Sequence, residues 1–206
     1  MFKKLKNIYE WILNLANTPY GPIALFLLSF VEASFFPIPP DVLLIALVLG
    51  CRVHALKFAL ICSIGSILGA IIGYGIGNLL WWDKGSYTII ANLFFNHIPG
   101  FTEILFQKMQ LQYKQYGFII IFTAGFTPIP FKIITISSGA FKIPLHLFIA
   151  ATAISRSARF FIVSLLIYRY GKKIENFINS YFNYVSILFV IILFFSYYLI
   201  KYFVVL

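Results

Sequence analysis

Charge is what this sequence most lacks. Only 11% of its 206 residues are Asp, Glu, Lys or Arg, and six of these are acidic. A soluble domain carries about a quarter. Apolar runs recur from end to end instead, which excludes a water-soluble domain and leaves no length for one beside the apolar segments. Cysteine is equally scarce. Cys51 and Cys62 form no Cys-x-x-Cys, which argues against a disulfide or metal framework. His54, His97 and His146 fall in predicted loops or span ends, without metal-ligand spacing, so neither a metal nor a cofactor is expected. Ser138, Ser155 and Ser157 lie near arginines but have no neighbouring histidine to act as nucleophile or acid, so no enzyme is expected. Gly73-Tyr74-Gly75-Ile76-Gly77 is no nucleotide fingerprint, because no strand-turn-helix context surrounds it.

What is present is a basic, aromatic, membrane-type chain. The net charge of +10 comes from singly scattered residues with no basic stripe, so nucleic acid is not an expected partner. These residues fit juxtamembrane positions facing anionic lipid. No cleavable signal peptide is evident, and insertion through the chain's own spans is expected.

The fold class read from the sequence is all-α: a polytopic membrane protein with two re-entrant helical hairpins in an inverted-topology repeat. Residues 1–19 read as an interfacial amphipathic helix, with Phe2, Leu5, Ile8 and Ile12 at helical spacing against Lys3, Lys4 and Lys6. Residues 20–170 form the membrane domain, with one repeat at 20–80 and a second at 117–168. In the first, residues 22–36 and 41–49 are each too short to cross about 30 Å of hydrocarbon, and so read as arms of a hairpin. Residues 58–80 cross, closing at an expected interfacial anchor, Trp81-Trp82-Asp83-Lys84. Residues 85–116 are mixed, and Phe101, Leu105, Met109 and Tyr113 predict a surface helix. In the second, residues 117–127 and 131–140 form the hairpin and 145–168 cross. Residues 171–206 add a short polar helix and a last span. Lys3, Lys4, Lys6, Arg52, Lys57, Arg169, Lys172 and Lys173 are placed inside, against Lys84, Lys108, Lys114, Lys142 and Lys201 outside, so the inward bias puts the N-terminus in the cytoplasm.

The repeat is written in the proline breaks. Pro37-Ile38-Pro39-Pro40-Asp41 is matched by Pro128-Ile129-Pro130-Phe131-Lys132. Broken helices and buried charges are tolerated in membranes where protein shields them or they line a watery cavity. Glu32 and Asp41 are the candidate proton-coupling residues, because a carboxylate at membrane depth costs at least ~2.5 kcal/mol and its protonated form costs less. Asp41 could equally serve as the N-cap of the return helix. Lys132, Arg156 and Arg159 are the candidate lipid-phosphate site: Lys132 at a helix N-terminus, the two arginines on one helix face. The alternative is internal pairing of these cations with Glu32 or Asp41. Gly65, Gly69, Gly73 and Gly77, spaced by four, form a smooth face for helix packing.

Glu32 before Pro37-Ile38-Pro39-Pro40-Asp41, the Gly69…Gly73-Tyr74-x-x-Gly77 helix, and Phe126-Thr127-Pro128-Ile129-Pro130-Phe131-Lys132…Ser138-Gly139 together resemble the DedA family, also called VTT or SNARE-associated domain proteins, in its YqaA-like branch. The resemblance covers about residues 20–170. It implies bacterial inner-membrane location, two re-entrant hairpins in inverted repeat, and lipid translocation, in particular undecaprenyl phosphate recycling that depends on proton motive force. Family members typically carry two arginines around the second break. Here Gly125 and Phe131 fall at those positions, with Lys132 one place later, and lysine is a point charge where arginine is a planar fork.

The functional expectation is a proton-coupled flippase for a phosphate-bearing lipid, such as undecaprenyl phosphate or a phospholipid. The alternatives are a proton- or small-ion-coupled transporter that does not act on lipid, and a non-transporting membrane assembly factor. The expected partners are membrane lipids with an anionic head group and protons. A homo-oligomer is compatible with the sequence and not specified by it.

Overall fold

The computed structural model describes residues 18–34, 39–98, 101–127 and 130–171. The predicted N-terminal amphipathic helix up to residue 17, Pro37, Pro128, and the polar helix and last span beyond residue 171 lie outside the described residues. Among those described, the helices are α1 (Gly21–Ser34), α2 (Asp41–Gly50), α3 (Ala55–Trp81), α4 (Ile89–His97), α5 (Glu103–Phe126), α6 (Phe131–Ala140) and α7 (Leu145–Gly171).

The prolines account for the short arms. Pro39 and Pro40 cannot continue a helix, so α1 and α2 are separate pieces of ~21 Å and ~15 Å at the helical rise. Pro130 precedes α6 in the same way. α3 and α7 are long and apolar enough to cross a membrane. α3 shows why such a helix suits lipid. Leu56, Leu60, Ile64, Leu68 and Ile72 are exposed at four-residue spacing, while the glycine row faces inward.

The glycine row divides between two partners. A Cβ on Gly65 would lie 2.6 Å from the Phe26 carbonyl oxygen, and one on Gly69 would strike that of Phe30, both in α1. A Cβ on Gly77 would strike the Ile136 carbonyl in α6, and Gly139 of α6 lies equally close to Tyr74 of α3. Backbone therefore meets backbone at two successive stretches of the glycine face of α3, which holds α1, before the first proline break, and α6, after the second.

The region between the spans departs from expectation. Trp82–Asp83 pairs with Ser86–Tyr87 as a two-residue-loop hairpin, a small exception to an otherwise helical chain. Its loop residues, Lys84 and Gly85, both have positive φ (47° and 91°), the backbone that matches strand twist in such turns. The predicted surface helix and the entering arm are merged in α5, with one non-helical residue, Tyr116, at the expected junction. Trp81 is not an exposed interfacial anchor. It is buried, stacks on Phe106 and meets Phe94 at a tilt in an aromatic cluster that includes Tyr87, Phe95 and Phe101.

The C-terminus of α6 is closed by neighbours. Lys142 adopts positive φ (53°), and Ile143 N–H donates to Ser138 O while Lys142 N–H donates to Gly139 O, completing a Schellman end. Trp82 Nε1 donates to Ala140 O (2.7 Å), Gln110 Nε2 to Phe141 O (3.0 Å) and Tyr74 Oη to Ile143 O (2.6 Å). The Lys142 ammonium lies 3.8 Å from the Trp82 ring centroid.

Candidate functional site

Two apolar cores stack along the bundle. One contains Leu25, Leu43, Leu44, Phe58, Cys62, Phe160 and Ile167. The other contains Ala33, Ala70, Phe131, Phe148, Ala151 and the aromatic cluster. On α1, α3 and α7 the residues between these sets are polar and buried: Ser29, Ser63, Ser66, Thr152, Ser155 and Arg156. The charges occupy this polar layer.

Arg156 is its centre. Its Nη2 meets Glu32 Oε2 at 2.5 Å and its Nε donates to Ser66 Oγ at 2.8 Å. Its guanidinium carbon lies 4.9 Å from the Phe131 ring centroid and 4.8 Å from that of Phe160, one ring from each core. The Arg156 side chain is 2% exposed and that of Glu32 is 11%. Glu32 sits in the last turn of α1, the negative end of the helix dipole, so the arginine offsets an unfavourable position as well as burial.

Arg159, three residues along the same face, is held differently. Nε donates to Asp41 Oδ1 at 3.3 Å and Nη2 to Asp41 Oδ2 at 2.9 Å, a two-pronged contact. Nη1 donates to the Thr127 carbonyl at 2.8 Å. That carbonyl ends α5, where the helix can supply no further donor. The two side chains are 19% and 20% exposed. Asp41 is the first residue of α2, Pro40 is the cap residue, and both Asp41 carboxylate oxygens accept from Arg159.

One helical turn of α7 thus reaches both proline breaks: Glu32 and Asp41 flank the first, Thr127 and Phe131 the second. Thr135 Oγ1 in α6 lies within hydrogen-bond distance of Ala33 O beside Glu32 (3.0 Å) as well as of Lys132 O in its own helix (2.9 Å). The VTT domain family model matches residues 36–169. The chain belongs to the VTT domain (DedA) family. An uncharacterized protein of Haemophilus influenzae is 32% identical over 166 residues, covering 81% of this chain and 82% of that protein. A Histophilus somni homologue is 31% identical over the same shares. An uncharacterized Methanocaldococcus jannaschii protein is 30% identical over 73% of this chain and 85% of its own length. No solved structure matches the chain significantly. VTT domain proteins are membrane proteins, and the two long apolar helices fit that setting.

The remaining predicted residues of this VTT domain are placed as follows. Lys132 is the second residue of α6 and is half-buried. Pro39 and Pro130 are exposed and Pro40 is buried. Gly125 of α5 faces Ser155 of α7 so closely that a Cβ would strike its hydroxyl. Sequence reasoning missed Ser66, the Phe131–Phe160 sandwich, the Thr127 carbonyl and Thr135. A signal existed for two of them: Ser66 is a polar residue on the glycine face of α3, and Phe160 follows Arg156 at i+4. Among the described residues no three His, Cys, Asp or Glu side chains group as metal ligands.

Proposed function

We propose that this protein is a proton-coupled transporter of a phosphate-bearing lipid in the bacterial inner membrane, and that it crosses that membrane more than once. The observation that carries this reading is the convergence of both proline breaks on Arg156 and Arg159. Charges at the tips of broken helices, joined by one span, fit a carrier site near the midplane. In this reading α1–α2 and the end of α5 with α6 are re-entrant hairpins of an inverted repeat, each supported by the same span, α3.

Arg159 meets the lipid phosphate, with Lys132 at the head of α6, and Arg156 supplies fixed positive charge behind them. Asp41 and Glu32 carry the protons, Asp41 being the more accessible. A head group such as that of undecaprenyl phosphate or a phospholipid suits the arginine fork. Proteoliposomes containing fluorescent polyprenyl phosphate or phospholipid in both leaflets test the proposal through quencher accessibility. Wild-type protein is expected to expose inner-leaflet lipid, and Arg159→Gln to lose most of that activity. Equal rates with protein-free vesicles would overturn the reading. Topology is tested separately: single cysteines replacing His54 and His97 in a Cys-free chain are expected to label from opposite sides. Labelling of both from one side would remove the inverted repeat.

A further inference from the structure

Asp41 presents to Arg159 the same pair of oxygens that a phosphate would present. We propose that Asp41 is a built-in competitor of the head-group phosphate, and that a proton on Asp41 opens the site. This rests on the phosphate-lipid reading above and adds the order of events within it.

Three features carry the inference. The two contacts from Nε and Nη2 to the Asp41 carboxylate use the edge of the guanidinium that takes two phosphate oxygens. The remaining nitrogen, Nη1, is anchored on the Thr127 carbonyl, so Arg159 keeps an orienting contact when Asp41 withdraws. Asp41 opens α2, and both its carboxylate oxygens are turned to Arg159, so a phosphate arriving there meets the same favourable helix end. The neighbouring pair lacks this freedom: Arg156 is fixed by Ser66, Glu32 and two aromatic faces.

Among the described residues, the elements around the two breaks carry these ionisable groups. α7 contributes Arg159 and Arg156, α1 contributes Glu32, and α3 contributes Cys62, within electrostatic reach of Asp41, Arg156 and Glu32. α6 contributes Lys132, and α5 beyond Tyr116 carries no ionisable side chain. Arg159 and Arg156 keep their charge throughout. A proton on Asp41 would remove the competing charge and leave the fork positive, which favours an anion.

The test uses the full chain in maltoside detergent micelles, which carry no phosphate to compete with the probe. The probe is dihexanoyl phosphatidylglycerol, whose phosphodiester keeps one negative charge from mildly acidic to mildly alkaline pH. Wild-type affinity is expected to rise on acidification. Asp41→Asn is expected to bind about tenfold to a hundredfold more tightly than wild type at alkaline pH, the range of a charge-assisted contact, and to lose the pH dependence. Asp41→Ser removes the carboxylate by a second route and should behave alike. Arg159→Gln should bind weakly at every pH. If Arg159→Gln weakens binding but neither Asp41 variant gains any, the competitor inference is wrong and the phosphate reading stands. If wild type does not bind the probe, or Arg159→Gln binds as wild type does, the phosphate reading itself falls.

Discussion

Arg156 and Arg159 lie one turn apart on α7, and each holds a carboxylate from beside the same proline break, yet their surroundings differ. The Arg156–Glu32 pair is sandwiched between aromatic rings with its fourth contact on a serine. The Arg159–Asp41 pair is about a fifth exposed and leans on a backbone carbonyl. Identical chemistry thus yields two roles. A buried pair is a liability once broken, because either ion left alone is uncompensated. A pair that is less enclosed costs less to break and can exchange partners.

That difference is first tested by breaking the buried pair. Arg156→Met is expected to lower unfolding stability by about 3–5 kcal/mol, since Glu32 is left buried and unpaired. Adding Glu32→Leu should recover much of the loss. Unfolding in mixed micelles checks both, and a single variant as stable as wild type would contradict the contrast.

A smaller effect is expected from the seat of Glu32. Gly69→Ala drives a methyl into the Phe30 carbonyl, one turn or less from Glu32, and should cost about 1–3 kcal/mol. Gly75→Ala, with nothing within 4 Å, should be neutral or stabilise by up to about 1 kcal/mol through helix propensity. Equal behaviour of the two would remove the close-approach account of α3. The less enclosed pair should lose less than the buried one: Asp41→Asn, which keeps an acceptor for Arg159, is expected to cost about 1–2 kcal/mol. A loss as large as that of Arg156→Met would make the two pairs equivalent.

Much of the helical plan was legible because prolines and apolar run lengths are local signals. The arms read as 41–49 and 131–140 are helices Asp41–Gly50 and Phe131–Ala140. The segment read as 145–168 is the helix Leu145–Gly171, long and apolar enough to cross a membrane. The Trp82–Tyr87 hairpin was not legible, because two-residue strands leave no alternation to read. The charges were visible one by one, but their pairing was not. Arg156 meets Glu32 across 124 residues and Arg159 meets Asp41 across 118, distances at which no local pattern selects a partner. The burial of Trp81 was hidden for the same reason: its stacking partners, Phe94 and Phe106, come from two later helices. The capping alternative for Asp41 failed because Pro40 takes the cap position.

The claim that the two arginines differ in availability is open to direct observation. Side-chain Nε–Hε resonances of Arg156 and Arg159, assigned by single Arg→Lys changes in maltoside detergent micelles, can be followed while dihexanoyl phosphatidylglycerol is added at mildly acidic pH. The account predicts that the Arg159 resonance moves in proportion to binding while that of Arg156 stays in place. Movement of Arg156 with Arg159 unchanged, or of neither while the lipid binds, would contradict it.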